Sequence, residues 1–136
     1  MNMRPLLSVL LLVLALGGAG ALAAWGAQRA PGEAGAYRVE ALGPDGPLLD
    51  ETVDLEDATA LTALQAAAAR RGLALSLVEY PGMGAYVRAI GGHEARGASG
   101  WVYEVHRDGS WQSGDRSAAY FALQRGDSVR WSWTSA

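Results

Sequence analysis

DATALTALQAAAARRG, residues 57–72, is the stretch on which the fold turns, because it is the one helical pattern in the 36–136 segment, which otherwise reads as strands. Asp57 stands where an N-cap belongs, Leu61, Leu64 and Ala68 form a narrow apolar stripe, Arg70 and Arg71 suit the negative end of the helix dipole, and Gly72 fits the left-handed stop after the last turn. The acidic residues Asp54, Glu56 and Asp57 gather at the start of this helix, where the dipole favours negative charge, so they need no metal ion to account for them.

Working outward, the flanks read as strands. Tyr37, Val39 and Ala41 alternate with Arg38, Glu40 and Leu42, GPDGP at 43–47 is a turn, and LLDETVDL at 48–55 is a second strand. After the helix come LALSLVEY (73–80), a PGMG turn (81–84) and AYVRAIGG (85–92). In SGWVYEVHRDG (99–109), Trp101, Tyr103 and Val105 share one face, with Trp101 and Tyr103 expected to cover the helix, and Asp108-Gly109 supplies a turn. AAYFAL (118–123) and SVRWSWT (128–134) are expected as the last strands, Val129, Trp131 and Trp133 pointing one way in the second of them. Two strands, one helix, then four or five strands, without alternating βα repeats, predict an α+β fold: a mixed sheet packed on a single helix.

The N-terminus is organised differently. From Pro5 to Ala27 there are 23 residues without a charge, between Arg4 and Arg29. A basic start, a leucine-rich stretch over Leu6 to Leu16 and the small-x-small site Ala21-Leu22-Ala23 have the grammar of a cleaved signal peptide. The run is also long enough to span a ~30 Å hydrocarbon core as an uncleaved signal anchor. Either way the remainder is exported, to the periplasm, the cell surface or the medium, and is tethered to the cytoplasmic membrane if the segment stays. The expected organisation is a signal peptide or anchor over 1–27, a linker over 28–35 and a domain over 36–136.

Composition narrows the function. The 136 residues are 50% hydrophobic and 18% charged with a net charge of −3, and all eleven basic residues are arginine, so no basic footprint for nucleic acid is present. Cysteine is absent, which removes disulfides, thiolate metal ligands and a cysteine nucleophile. The two histidines, His93 and His106, do not sit at metal-ligand spacing, no HExxH or GxSxG occurs, and the pairs Gly82/Gly84 and Gly91/Gly92 lack the strand–loop–helix setting of a phosphate cradle. No catalytic residue, metal ligand or cofactor is expected, and the chain reads as a non-enzyme. Arg125-Gly126-Asp127 spells an adhesion tripeptide, but it falls on the turn before the last strand, where local turn chemistry explains it.

Several spacings together resemble a known family. Tyr86-Val87 followed by Ile90-Gly91-Gly92, then Gly100-Trp101-Val102-Tyr103-Glu104-Val105, then Leu123 before Gly126-Asp127-Ser128-Val129 and Trp131, are similar to the transcobalamin-like C-terminal domain, small exported bacterial domains of unassigned function. The resemblance covers about 37–134. Where the family has an Asn-Gly turn after the tyrosine strand, this chain has His106-Arg107-Asp108-Gly109, and Asp-Gly can do the same backbone work.

The resemblance implies a β-grasp-like fold. In the cobalamin carriers this domain is the smaller of two and covers one face of the corrinoid, the loop after the aromatic strand touching the ligand. The positional match is Asp108–Ala118, DGSWQSGDRSA. Trp111 stands there in a polar, turn-rich setting, and Ser110, Gln112, Ser113, Asp115 and Arg116 surround it. Trp111, Gln112, Ser110, Ser113 and Arg116 are therefore the candidate ligand-binding residues, for cobalamin or another flat, partly apolar molecule. The alternative is a protein-interaction or structural module of the cell envelope, offering an exposed aromatic patch or a free sheet edge to a partner protein.

Overall fold

The computed structural model describes residues 32–135. The expected export signal, 1–27, and the start of the linker lie outside the described residues. The chain is already docked at Gly32, whose N–H donates to Asp57 Oδ1 at 2.8 Å, and at Glu33, whose N–H donates to the Leu123 carbonyl at 2.9 Å.

Strands β1 (Gly35–Gly43) and β2 (Gly46–Leu55) form an antiparallel hairpin around Pro44-Asp45, as the prolines and Asp-Gly imply. Helix α1 (Ala60–Arg71) follows, then β3 (Leu75–Tyr80), β4 (Gly84–Ile90), the two-residue β5 (His93–Glu94), β6 (Gly100–Arg107), β7 (Ser110–Ser113) and β8 (Ser128–Thr134). Two sheets result. The main one has the order β2-β1-β8-β6-β7, antiparallel except where β1 and β8 run parallel at its centre; the smaller is antiparallel, β3-β4-β5. The expected α+β class holds, with a mixed sheet and one helix among the described residues.

The core lies between α1 and the inner face of β2, β1 and β8. Tyr37, Val39, Ala41, Leu49, Val53, Val129 and Trp131 meet Leu61, Leu64 and the alanines at 60, 63 and 67. Small alanines let the helix approach the sheet closely, and each fully buried large apolar side chain contributes about 1.5–3 kcal/mol.

The helix cap lies two residues after the expected Asp57. Thr59 is the N-cap, its hydroxyl accepting from the Thr62 N–H at 3.1 Å while Thr62 Oγ1 accepts from the Thr59 N–H at 2.8 Å. The reason is tertiary. The early helical N–H groups of Ala60 and Leu61 donate to the carbonyls of Phe121 and Ala118, both at 3.0 Å. Gly72 ends the helix in the left-handed conformation as expected, and Arg70 and Arg71 reach Glu51 on β2.

That use of carbonyls corrects the strand expected over 118–123. The segment forms a turn, with a single bridge between Ala122 and Thr59, because its hydrogen-bonding groups serve the helix N-terminus and Ala58 rather than a ladder. It is held to β6 by Arg107, which donates to Asp127 at 2.6 Å and to the Ala122 carbonyl at 3.2 Å. Asp127 is 3% exposed and also accepts from the Gln124 N–H at 2.8 Å. The carboxylate of the Arg-Gly-Asp sequence thus closes its own turn and faces inward.

A second correction concerns 110–113, read from sequence as loop. Asp108 (φ 54°) and Gly109 (φ 83°) both take positive φ, as a two-residue primed hairpin turn requires, and the chain returns along β6 as β7. A third concerns Trp101 and Tyr103. They do share the inner face, but α1 packs over β2, β1 and β8. Trp101 and Tyr103 lie beyond it, half-buried beneath the smaller sheet and residues 114–121.

Candidate functional site

Beyond the end of the helix the inner face of the main sheet is incompletely covered, and a cleft of about 370 Å³ opens there. One wall is β4 (Ala85, Tyr86 and Val87), the other is β6 (Trp101, Val102 and Tyr103), and residues 113–118 cross its end. Trp131 of β8 also lines it, with its ring 5.1 Å from that of Tyr103.

The crossing segment is positioned by two contacts with Tyr103. Gly114 lies flat against the ring: a Cβ there would fall 2.1–2.5 Å from three ring carbons, so no larger residue fits without displacing it. The Tyr103 hydroxyl donates to the Arg116 carbonyl, and Phe121 packs edge-on at 5.8 Å. Burial pushes the Tyr103 phenol up to about 12, with the nearby Asp115 carboxylate adding to the rise. Ser117, 6% exposed, donates to the Ala85 carbonyl at 2.8 Å and ties the segment to β4. Asp115 and Arg116 pair with each other at 2.9 Å; that hydrogen bond holds the Asp115 carboxyl below the usual range and raises the guanidinium.

Trp131 is 3% exposed, and its buried indole N–H has no hydrogen-bond partner among the described residues. An unpaired buried donor costs about 1–3 kcal/mol. Trp101 differs: its indole donates to the His93 carbonyl at 2.8 Å.

Of the five residues singled out from sequence, Ser113 and Arg116 line this cleft, and Ser110, Trp111 and Gln112 do not. Ser110 and Gln112 are exposed on β7, opposite Arg107 and Val105. Trp111 stands opposite His106 on the outer face, half-buried, its ring covered by the Arg130 guanidinium at 3.9 Å and met edge-on by His106 at 5.1 Å. Sequence reasoning gave Trp101 and Tyr103 to the core by their alternation, set Trp131 on one face of the last strand with Val129 and Trp133, and singled out neither Tyr86 nor Val87 as a site residue. No local signal could have shown that β4 would meet β6.

A wider, shallower groove of about 730 Å³ runs over the outer face of the smaller sheet, lined by Val78, Tyr80, Met83, Tyr86, Val87 and others. Tyr80, Met83 and Tyr86 are 50%, 61% and 42% exposed, and the two tyrosines pack edge to face at 5.4 Å.

No family model and no curated protein matches the chain. Among solved structures, the chain is similar to a crystal structure at 1.30 Å of a "putative metal binding protein" from Ruminococcus gnavus ATCC 29149, with a TM-score of 0.50 and 13% identity over 74% of this chain and 97% of the other. At that identity the likeness is one of fold alone. Among the described residues, no group of three or more His, Asp or Glu side chains is placed to hold a metal ion.

Proposed function

We propose that this chain is an exported, non-enzymatic ligand-binding module of the β-grasp type, and that the cleft between β4 and β6 is its site. The β-grasp reading is supported by the sheet order, with β1 and β8 parallel at the centre and one helix across the sheet. Export is supported by the uncharged run from Pro5 to Ala27. The observation that carries the binding reading is the aromatic-lined cleft itself, whose walls present Tyr86, Trp101 and Tyr103 as apolar surface to a flat body.

The cleft is small, near the lower end of the roughly 300–1,000 Å³ typical of ligand sites. A corrinoid, the ligand suggested by the resemblance to transcobalamin-like domains, would enter only by an edge and lie across the mouth. The test is a titration of the full chain with cyanocobalamin, cobinamide and benzamide, followed by tryptophan fluorescence and melting temperature. The expected result is saturable quenching with a concentration-dependent rise in melting temperature for at least one probe. It should be weakened about tenfold in Tyr86→Ala and unchanged in Trp111→Ala. A folded chain that responds to none of these probes, nor to the peptides described below, overturns the reading.

The exposed Tyr80, Met83 and Tyr86 favour a second reading, an envelope protein bound on the outer face of the smaller sheet. Tyr80→Glu together with Met83→Glu would abolish such an association and leave the cleft's ligand response intact.

A further inference from the structure

Both walls of the cleft are strand edges that stop being paired where the cleft begins. Strand β7 accompanies β6 only from Arg107 to Glu104, so among the described residues Gly100–Tyr103 have β8 on one side and no strand on the other. Strand β5 accompanies β4 only at Ala89 and Ile90, so among the described residues Gly84–Val87 have β3 on one side and no strand on the other. Part of these open edges is capped. The Tyr103 carbonyl accepts from the Gly114 N–H, that of Ala85 from Ser117, and that of Arg88 from the Ala95 N–H at 2.8 Å. The backbone of Trp101 points to the same side as that of Tyr103, two residues on in the pleat, and therefore toward the cleft.

The charges near the cleft are already matched. Arg116 pairs with Asp115, and Arg88 pairs with Glu94 at 2.6 Å. A neutral ligand suits such a lining better than a charged one. An open strand edge and aromatic walls are together what an uncharged, extended main chain would satisfy: its amides pair with an edge and its alternate side chains enter an apolar cleft.

We propose that the cleft recognises a short, extended, uncharged peptide segment of a partner protein, which adds to the open edge of β6 at Trp101. The proposal rests on the cleft being a ligand site and names the class of ligand. Strand β7 stops at Ser113 because Gly114 turns across the Tyr103 ring, and the incoming segment takes up the edge that β7 vacates.

The test uses the ¹⁵N-labelled full chain and a library of capped tetrapeptides, acetyl-X-X-X-X-amide, randomised over uncharged residues, alongside the same library N-methylated at its two central amides. Binding should move the Trp101 amide and Trp131 indole resonances together and saturably. N-methylation should weaken binding at least tenfold, because it removes the amide hydrogens that pair with the edge. Equal binding of the methylated and unmethylated libraries would overturn strand addition. Should the peptides leave the cleft resonances in place while benzamide or cyanocobalamin still titrates, the peptide class falls and the ligand site stands. Silence from every probe would remove both.

Discussion

The two halves of the main sheet's inner face are built from the same alternation and end in opposite states. Under α1, Tyr37, Val39, Ala41, Val53 and Val129 are at most 2% exposed, sealed by a helix whose alanines let it lie close to the strands. On the β6 side, Trp101 and Tyr103 remain half-buried beneath a second sheet and a glycine-containing strap. A helix presents a continuous convex stripe and fills a sheet face, whereas a sheet edge meeting another edge leaves backbone groups and space between them. The closed half is the core, and the open half is the candidate site.

The sharpest way to break the closed half is Leu64→Ala. Leu64 is fully buried, and its truncation should cost about 4 kcal/mol, read as a lowered denaturant midpoint. Next, Asp127→Ala leaves Arg107, whose side chain is 20% exposed, without its carboxylate and frees the 122–127 segment. A loss of about 3 kcal/mol is expected in the same measurement.

Gly114→Ala separates the halves. The new Cβ collides with the Tyr103 ring, so about 2 kcal/mol of stability should be lost, together with probe binding at the cleft. If this variant bound ligand as the parent chain does, the strap would not shape the site.

The smallest expected effect is a change in alkaline behaviour. The Tyr103 phenol is raised from 10.0 to about 12 in the folded chain, mainly by burial, so the folded state disfavours the phenolate. The corresponding stability is complete below about pH 10 and is lost as the pH rises through about 12. Melting temperature should therefore fall less steeply across this window in Tyr103→Phe than in the parent. A residual slope is expected from Tyr37, whose phenol is raised chiefly by burial.

Much of the fold was legible because its signals are local. Strand alternation places Val39, Val105 and Val129 inside, Asp108-Gly109 makes a primed turn, and Gly72 stops the helix. The candidate site was only half legible. Ser113 and Arg116 were found because a polar, turn-rich stretch after an aromatic strand draws attention to loops. Trp111 drew the same attention, yet on the hairpin it points to the outer face, where Arg130 from a strand of distant sequence covers it. The 118–123 segment has the alternation of a strand and does not become one, because Ala118 and Phe121 give their carbonyls to the start of a helix far earlier in the chain.

By itself the sequence determined the class of fold, the order of most of its elements, the turns that hold special backbone angles and the faces that strands turn inward. These follow from periods of two and of 3.6 residues and from residues that tolerate positive φ, all set within a few positions. Only the tertiary structure decided that β8 lies parallel beside β1, that Thr59 rather than Asp57 caps the helix and that, among the described residues, β4 and β6 face each other with unpaired edges and the Trp131 N–H is left without an acceptor. Those outcomes depend on which distant groups remain free once every other hydrogen bond and apolar face has found its partner.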